Sequence, residues 1–301
     1  MPLAHKEAIM IFESFDKKKI FVHEWTEVEN PKGFVQIVHG MAEHGGRYRA
    51  FAEYLNEHGY LVAADDHRGH GYTDPETPGY CACENMFFDT VKDEAALTDY
   101  YKAKYLGLKY FIFGFSYGSF LTQCYISKYG DKVDGAVVAG SNYKKDFEVY
   151  LGALVAGMGN KRKPGKFIEK QSFGNYAKKF EDGEWISTDA VNNAAYRTDK
   201  FCGFTCSNKF YADFFKGLKS LYTKSYAAGL QKDMPLLLVS GADDPVGDMS
   251  KGVKKLYEYY QKVGMKNVQM ILFEGCRHEF LNEQKGLSQR REVIADFFDK
   301  N

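Results

Sequence analysis

The segment that most constrains this chain is Tyr110-Phe-Ile-Phe-Gly-Phe-Ser-Tyr-Gly118, an apolar run without a polar break until Ser116 that passes at once into a helical pattern ending at Tyr129. A short apolar run of this kind reads as a strand buried on both faces, and such a strand belongs to a sheet covered by helices on either side. The surrounding sequence repeats the theme. Gly33–His39, Tyr60–Asp65 and Gly135–Ala139 read as further strands, and Tyr48–His58, Thr90–Leu106 and Tyr117–Tyr129 as the helices between them. Two earlier strands are expected at Ala8–Phe15 and Lys19–Glu27, around the polar turn Asp16-Lys17-Lys18. Strands alternating with helices at these lengths predict an α/β fold with a mostly parallel central sheet and helices on both faces.

The alternation stops after Ser141 and returns at Leu236–Gly241, followed by helix Met249–Val263, strand Asn267–Phe273 and helix Ser288–Phe298. The interval between holds helical patterns and loops, which predicts an inserted helical cap at 143–232 between core parts at 1–142 and 233–301. The cap carries 16 Lys and Arg against 9 Asp and Glu, and the rest of the chain 24 against 31, although the whole is balanced at 40 against 40. Within it, Phe147, Tyr150, Leu151, Leu154, Val155 and Met158 fall on a helical stripe, and the first four are candidates to line a substrate pocket. The basic loop Lys161-Arg-Lys-Pro-Gly-Lys166 comes next, as a solvated face or a contact with an anionic lipid surface.

The five residues Gly114-Phe-Ser-Tyr-Gly118 match G-x-S-x-G, a pattern whose value lies in its context. Between a strand and a helix it forms a sharp turn that lifts the serine above the end of the sheet, with a helix N-terminus behind it to favour negative charge. A serine nucleophile needs a base, and the base an acid to orient it. The only histidine after the turn is His278, beyond the last strand, and strand Leu236–Gly241 opens into Asp243-Asp244. Each lies at the C-terminal end of a strand, where such sheets bind ligands. Ser116, one aspartate of that pair and His278 are therefore the candidate catalytic residues. Oxyanion donors are expected from the Tyr117 N–H, next to the serine, and the Met41 N–H in His39-Gly-Met-Ala-Glu-His44.

Taken together, His39–His44 with Arg47-Tyr48, Asp66-His-Arg-Gly-His-Gly71, the Gly114–Gly118 turn, Gly241-x-x-Asp244-Pro-Val and Arg277-His278 resemble the monoacylglycerol lipase/lysophospholipase group of α/β-hydrolases, which stands beside the serine aminopeptidases. The resemblance implies an α/β-hydrolase fold and hydrolysis of carboxylic esters through an acyl-enzyme. It also implies Ser116 as nucleophile, Asp244 as acid, His278 as base, and Met41 and Tyr117 as oxyanion donors. The turn departs from the group in carrying Phe115 and Tyr117 where His and Met are commoner. The same three residues also serve amide and carbon–carbon hydrolysis, or survive in a binder without activity, so fold alone leaves the reaction open. His67, Arg68 and His70 read as structural hydrogen-bonders, and His39, Glu43 and His44 as braces of the oxyanion loop.

Several classes are excluded. The balanced charge argues against a nucleic-acid partner, and no apolar stretch approaches the roughly 20 residues of a membrane span. Six cysteines without metal-ligand spacing read as free thiols, and no dinucleotide or phosphate loop is present, so neither cofactor nor metal is expected. The early apolar run Ala8–Phe12 is too short for a secretory leader, which gives a cytoplasmic expectation.

Overall fold

The computed structural model describes residues 7–143 and 159–301. Among the described residues eight strands form one sheet: β1 (Ala8–Glu13), β2 (Lys19–Trp25), β3 (Gly33–Val38), β4 (Tyr60–Asp65), β5 (Lys109–Phe115), β6 (Gly135–Ala139), β7 (Leu236–Gly241) and β8 (Val268–Phe273). Their spatial order is β1-β2-β4-β3-β5-β6-β7-β8. β2 runs antiparallel to both its neighbours, and every other pairing is parallel.

The continuous apolar strands still obey a period of two. In β5, Tyr110 and Ile112 face one core with Phe34, Leu121 and Tyr125, whereas Phe111, Phe113 and Phe115 face the other with Phe51, Leu55 and Phe298. Helices α1 (Arg49–Glu57) and α9 (Leu287–Lys300) cover the second face. Helices α2 (Met86–Lys104), α3 (Tyr117–Tyr129) and α8 (Lys251–Lys262) cover the first. Between β6 and β7 the described residues form α4 (Lys166–Phe173), α5 (Ala190–Thr198), α6 (Asn208–Ser220) and α7 (Lys224–Gly229), with one isolated bridge, Pro164 to Ser207. The candidate pocket residues Phe147, Tyr150, Leu151 and Leu154 lie outside the described residues.

Most element ends differ from the sequence reading by one or two residues, and three of the shifts have a clear local reason. β1 ends at Glu13, two residues early, because Ser14 N–H and Lys18 C=O close the turn at 2.9 Å and Lys17 takes φ 67°. α2 begins four residues early because Asn85 caps it, accepting the Phe88 N–H at 2.9 Å. α8 begins two residues late because Asp248, Met249 and Ser250 all have positive φ, at 51°, 52° and 74°, which no right-handed helix accommodates.

Candidate active site

At the end of β5, Ser116 sits at φ 53°, ψ −118°, a backbone conformation costly for a residue with a side chain. Its N–H is tied to the Ala139 carbonyl at 2.9 Å, and α3 begins at the next residue. The flanking glycines are a steric requirement. A Cβ on Gly118 would run into the Val38 carbonyl, and one on Gly114 into Thr122 Oγ1. So the motif closes the strand-to-helix turn and points the serine away from the sheet.

His278 follows β8, with Nε2 2.9 Å from Ser116 Oγ and Nδ1 2.9 Å from Asp244 Oδ2. Asp244 is fully buried; it accepts the Val246 N–H at 2.8 Å and the Ser240 hydroxyl at 3.2 Å. Asp243, its competitor from the sequence, is half-buried, and its N–H serves the Cys276 carbonyl at 3.0 Å. Burial alone would depress the His278 pKa, but the Asp244 carboxylate outweighs it and holds the imidazole above its ordinary 6.5. The ring lies between Phe115 and Trp185, with centroids 4.7 and 5.4 Å away.

The loop after β3 is held from several sides. Glu43 accepts the Gly40 N–H at 2.5 Å, the Tyr48 hydroxyl at 2.8 Å and Arg47 Nη1 at 2.5 Å. Arg47 also forks onto Glu279, at 2.7 and 2.8 Å, so one guanidinium joins the Gly40 loop to the residue beside His278. Burial works against the Glu279 carboxylate, but Arg47 keeps it ionised below its usual range. The Ala42 N–H donates to His70 Nε2 at 3.2 Å, a bond that needs a neutral ring, and burial among other histidines drives that pKa down to about 3. His39 stacks on His67 at 3.7 Å, and Arg68 is clamped between Asp93 and Asp16. His44 instead donates to Asp199, at the end of α5, at 2.9 Å.

Above Ser116 opens a cavity of about 820 Å³. Met41, Tyr117 and His278 share its lining with the side chains between β6 and β7, notably Phe167, Phe173, Trp185, Phe204, Phe214 and Leu218. None of those six stood out in the sequence, although Trp185 is one of only two tryptophans. Arg47 was marked only as part of the family resemblance, and Glu279 only as a neighbour of His278. None of the six cysteines is paired with another.

The fold is that of the α/β-hydrolase class, and the family and relatives that the chain matches make it a serine ester hydrolase. The chain belongs to the serine aminopeptidase, S33, family, whose profile matches residues 29–285. It is 27% identical over 267 residues to a monoacylglycerol lipase from Mycolicibacterium smegmatis, covering 88% of either chain. It is also similar to the crystal structure of a thermostable carboxyl esterase from Bacillus coagulans in complex with glycerol, with a TM-score of 0.90 at 26% identity and 98% of each chain covered. A soluble variant of monoglyceride lipase from Saccharomyces cerevisiae shares the fold, with a TM-score of 0.77 at 21% identity over 100% of this chain and 96% of that one. Among the described residues, no helix is long and apolar enough to cross a membrane.

Proposed function

We propose that the protein hydrolyses monoacylglycerol- or lysophospholipid-like esters through an acyl-enzyme. Ser116 attacks the ester carbonyl while His278 takes its proton, and the Met41 and Tyr117 N–H groups receive the oxyanion. His278 then protonates the leaving alcohol, Asp244 orients the imidazole, and water attacking the acyl-serine completes the cycle. The observation that carries this reading is the chain of two 2.9 Å contacts, Ser116 to His278 to Asp244, beneath a cavity walled by aromatic and aliphatic side chains. Such walls suit an acyl chain.

An aminopeptidase needs acids free to receive a substrate ammonium. Among the described residues three carboxylates line the cavity: Arg47 neutralises Glu43 and Glu279, which leaves Glu169, whose Oε2 takes the Thr205 hydroxyl at 2.8 Å, as a single charge rather than an acidic recess. The arrangement thus favours esters. A panel of monoacylglycerols, lysophospholipids, short p-nitrophenyl esters and aminoacyl amides decides it: kcat/KM should be highest on long-chain monoesters, and preference for the amides would overturn the assignment. Fluorophosphonate labelling of Ser116 separates an enzyme from a binder, whose serine would stay unlabelled.

His278 must be neutral to accept the proton. Because its pKa is raised, kcat/KM is expected to fall as pH decreases through an inflection above 6.5. In Asp244→Asn the carboxylate that raises the pKa is gone, so the inflection of the residual activity should move to lower pH. A pH–rate profile of both proteins checks the sign.

Lys161, Arg162, Lys163 and Lys166 are exposed, and Phe167, 64% exposed, follows them into the cavity lining. We place an anionic lipid surface there. Each cation near such a surface contributes about 1 kcal/mol, so two engaged cations amount to roughly 30-fold in partitioning. Activity on esters in anionic vesicles should exceed that in neutral ones at low salt. Changing all four cations to Gln should erase the difference without altering turnover of a soluble ester. The compartment we propose is the cytoplasm, on the strength of the free thiols.

A further inference from the structure

His23 lies on β2, His44 closes the loop after β3, and Asp66 follows β4. The register that pairs His23 with Ala64 brings these three distant positions together. One ligand atom from each lies within 4.8 Å of the others. His44 Nδ1 is buried and has no hydrogen-bond partner among the described residues, while its Nε2 faces the Asp199 carboxylate at 2.9 Å. His23 carries a carboxylate on each nitrogen, Nδ1 on Glu7 at 2.7 Å and Nε2 hydrogen-bonded to Asp66 at 3.1 Å, and an ion bound between His23 and Asp66 would replace the latter contact. Asp66 is held by the Gly45 and Tyr72 N–H groups, at 2.9 and 2.7 Å. Both rings converge over Gly46, where a Cβ would meet His23 Cε1 at 3.0 Å and His44 Nδ1 at 3.1 Å.

We propose that His23, His44 and Asp66 bind one divalent cation of the zinc class. Two imidazole nitrogens and a carboxylate suit a borderline transition ion better than calcium or magnesium, which prefer all-oxygen sets. An outer carboxylate on the far nitrogen of each metal-facing histidine is the arrangement that fixes tautomer and ring orientation at metal centres, here supplied by Glu7 and Asp199. The unpartnered His44 nitrogen is otherwise a desolvated acceptor with nothing to accept. Its neighbour His67 differs, since Nδ1 faces Asp65 at 2.9 Å and Nε2 the His39 carbonyl at 3.1 Å. Because His44 ends the oxyanion loop and Asp199 follows α5, a bound ion would tie that loop to β2 and, through Asp199, to the segment between β6 and β7.

A second set, His44, Asp199 and Cys202, also falls within 4.8 Å, and the experiment must distinguish the two. Full-length protein, stripped by chelator and dialysed against micromolar zinc, is expected to retain one zinc per chain and to show a higher Tm. His23→Gln and His44→Gln should each lower zinc affinity by at least about tenfold, Asp199→Asn by about 10–100-fold, and Cys202→Ser should leave it unchanged. Cobalt at the site should show the visible absorption of a four-coordinate ion without a thiolate charge-transfer band. Circular dichroism establishes that each variant is folded, and the wild-type stoichiometry and cobalt spectrum stand independently of them. Absence of stoichiometric uptake, retention of zinc by both histidine variants, or a need for Cys202 would each overturn the site.

Discussion

Ser116→Ala is expected to abolish ester turnover, with a loss on the order of 10⁵–10⁶ in kcat and little change in Tm. The size of the loss follows from cooperation: His278 without a serine has no proton to accept, and Asp244 then orients a base with no task. What survives is the weaker catalysis by oxyanion donors and binding alone. The fold should be indifferent because, among the described residues, the hydroxyl hydrogen-bonds His278 Nε2 alone, whereas the sharp turn is set by Gly114, Gly118 and the Ser116 N–H bond to Ala139. Relief of a side chain at φ 53° is not at stake, since alanine keeps its Cβ. Retention of more than a few per cent of activity in clean protein would remove Ser116 from the nucleophile role.

Asp244→Asn is expected to lower kcat by roughly 10⁴, and Asp243→Asn by less than tenfold. An amide at 244 leaves the packing in place but can offer His278 Nδ1 an N–H instead of a lone pair, which favours the wrong tautomer. Its Val246 and Ser240 partners keep the side chain oriented in either case. Asp243, half-buried, contributes its backbone to the turn, and that contact survives substitution. Steady-state kinetics of the two variants on one soluble ester suffice. Equal or reversed losses would move the acid by one residue.

The elements around this site were legible because their signals are local. An apolar run of six residues, a G-x-S-x-G, a polar turn and a histidine beyond the last strand each sit within one element. Since the elements alternate, their order predicts the sheet. The errors were local too. An asparagine cap at residue 85 and three left-handed residues before α8 shifted helix ends without disturbing the topology.

Contacts between remote positions left no such signal. Arg47 and Glu279 stand 232 residues apart, and nothing near either foretells the fork that joins the Gly40 loop to the His278 loop. The choice between Asp243 and Asp244 is an exception: the resemblance already points to the residue three after Gly241, and the turn buries that residue against His278. The cavity walls come from residues whose helical spacing says they are apolar, not that they face Ser116. His23, His44 and Asp66 have no metal-binding spacing and meet only because β2 enters the sheet antiparallel beside β4. Periodicity and turn chemistry are written in neighbouring residues, so the sequence by itself determined the order of strands and helices, the turn at Ser116 and its candidate partners. Which side chains converge depends on how the elements pack and pair, so the charged bridge, the cavity and the histidine cluster were decided by the tertiary structure alone.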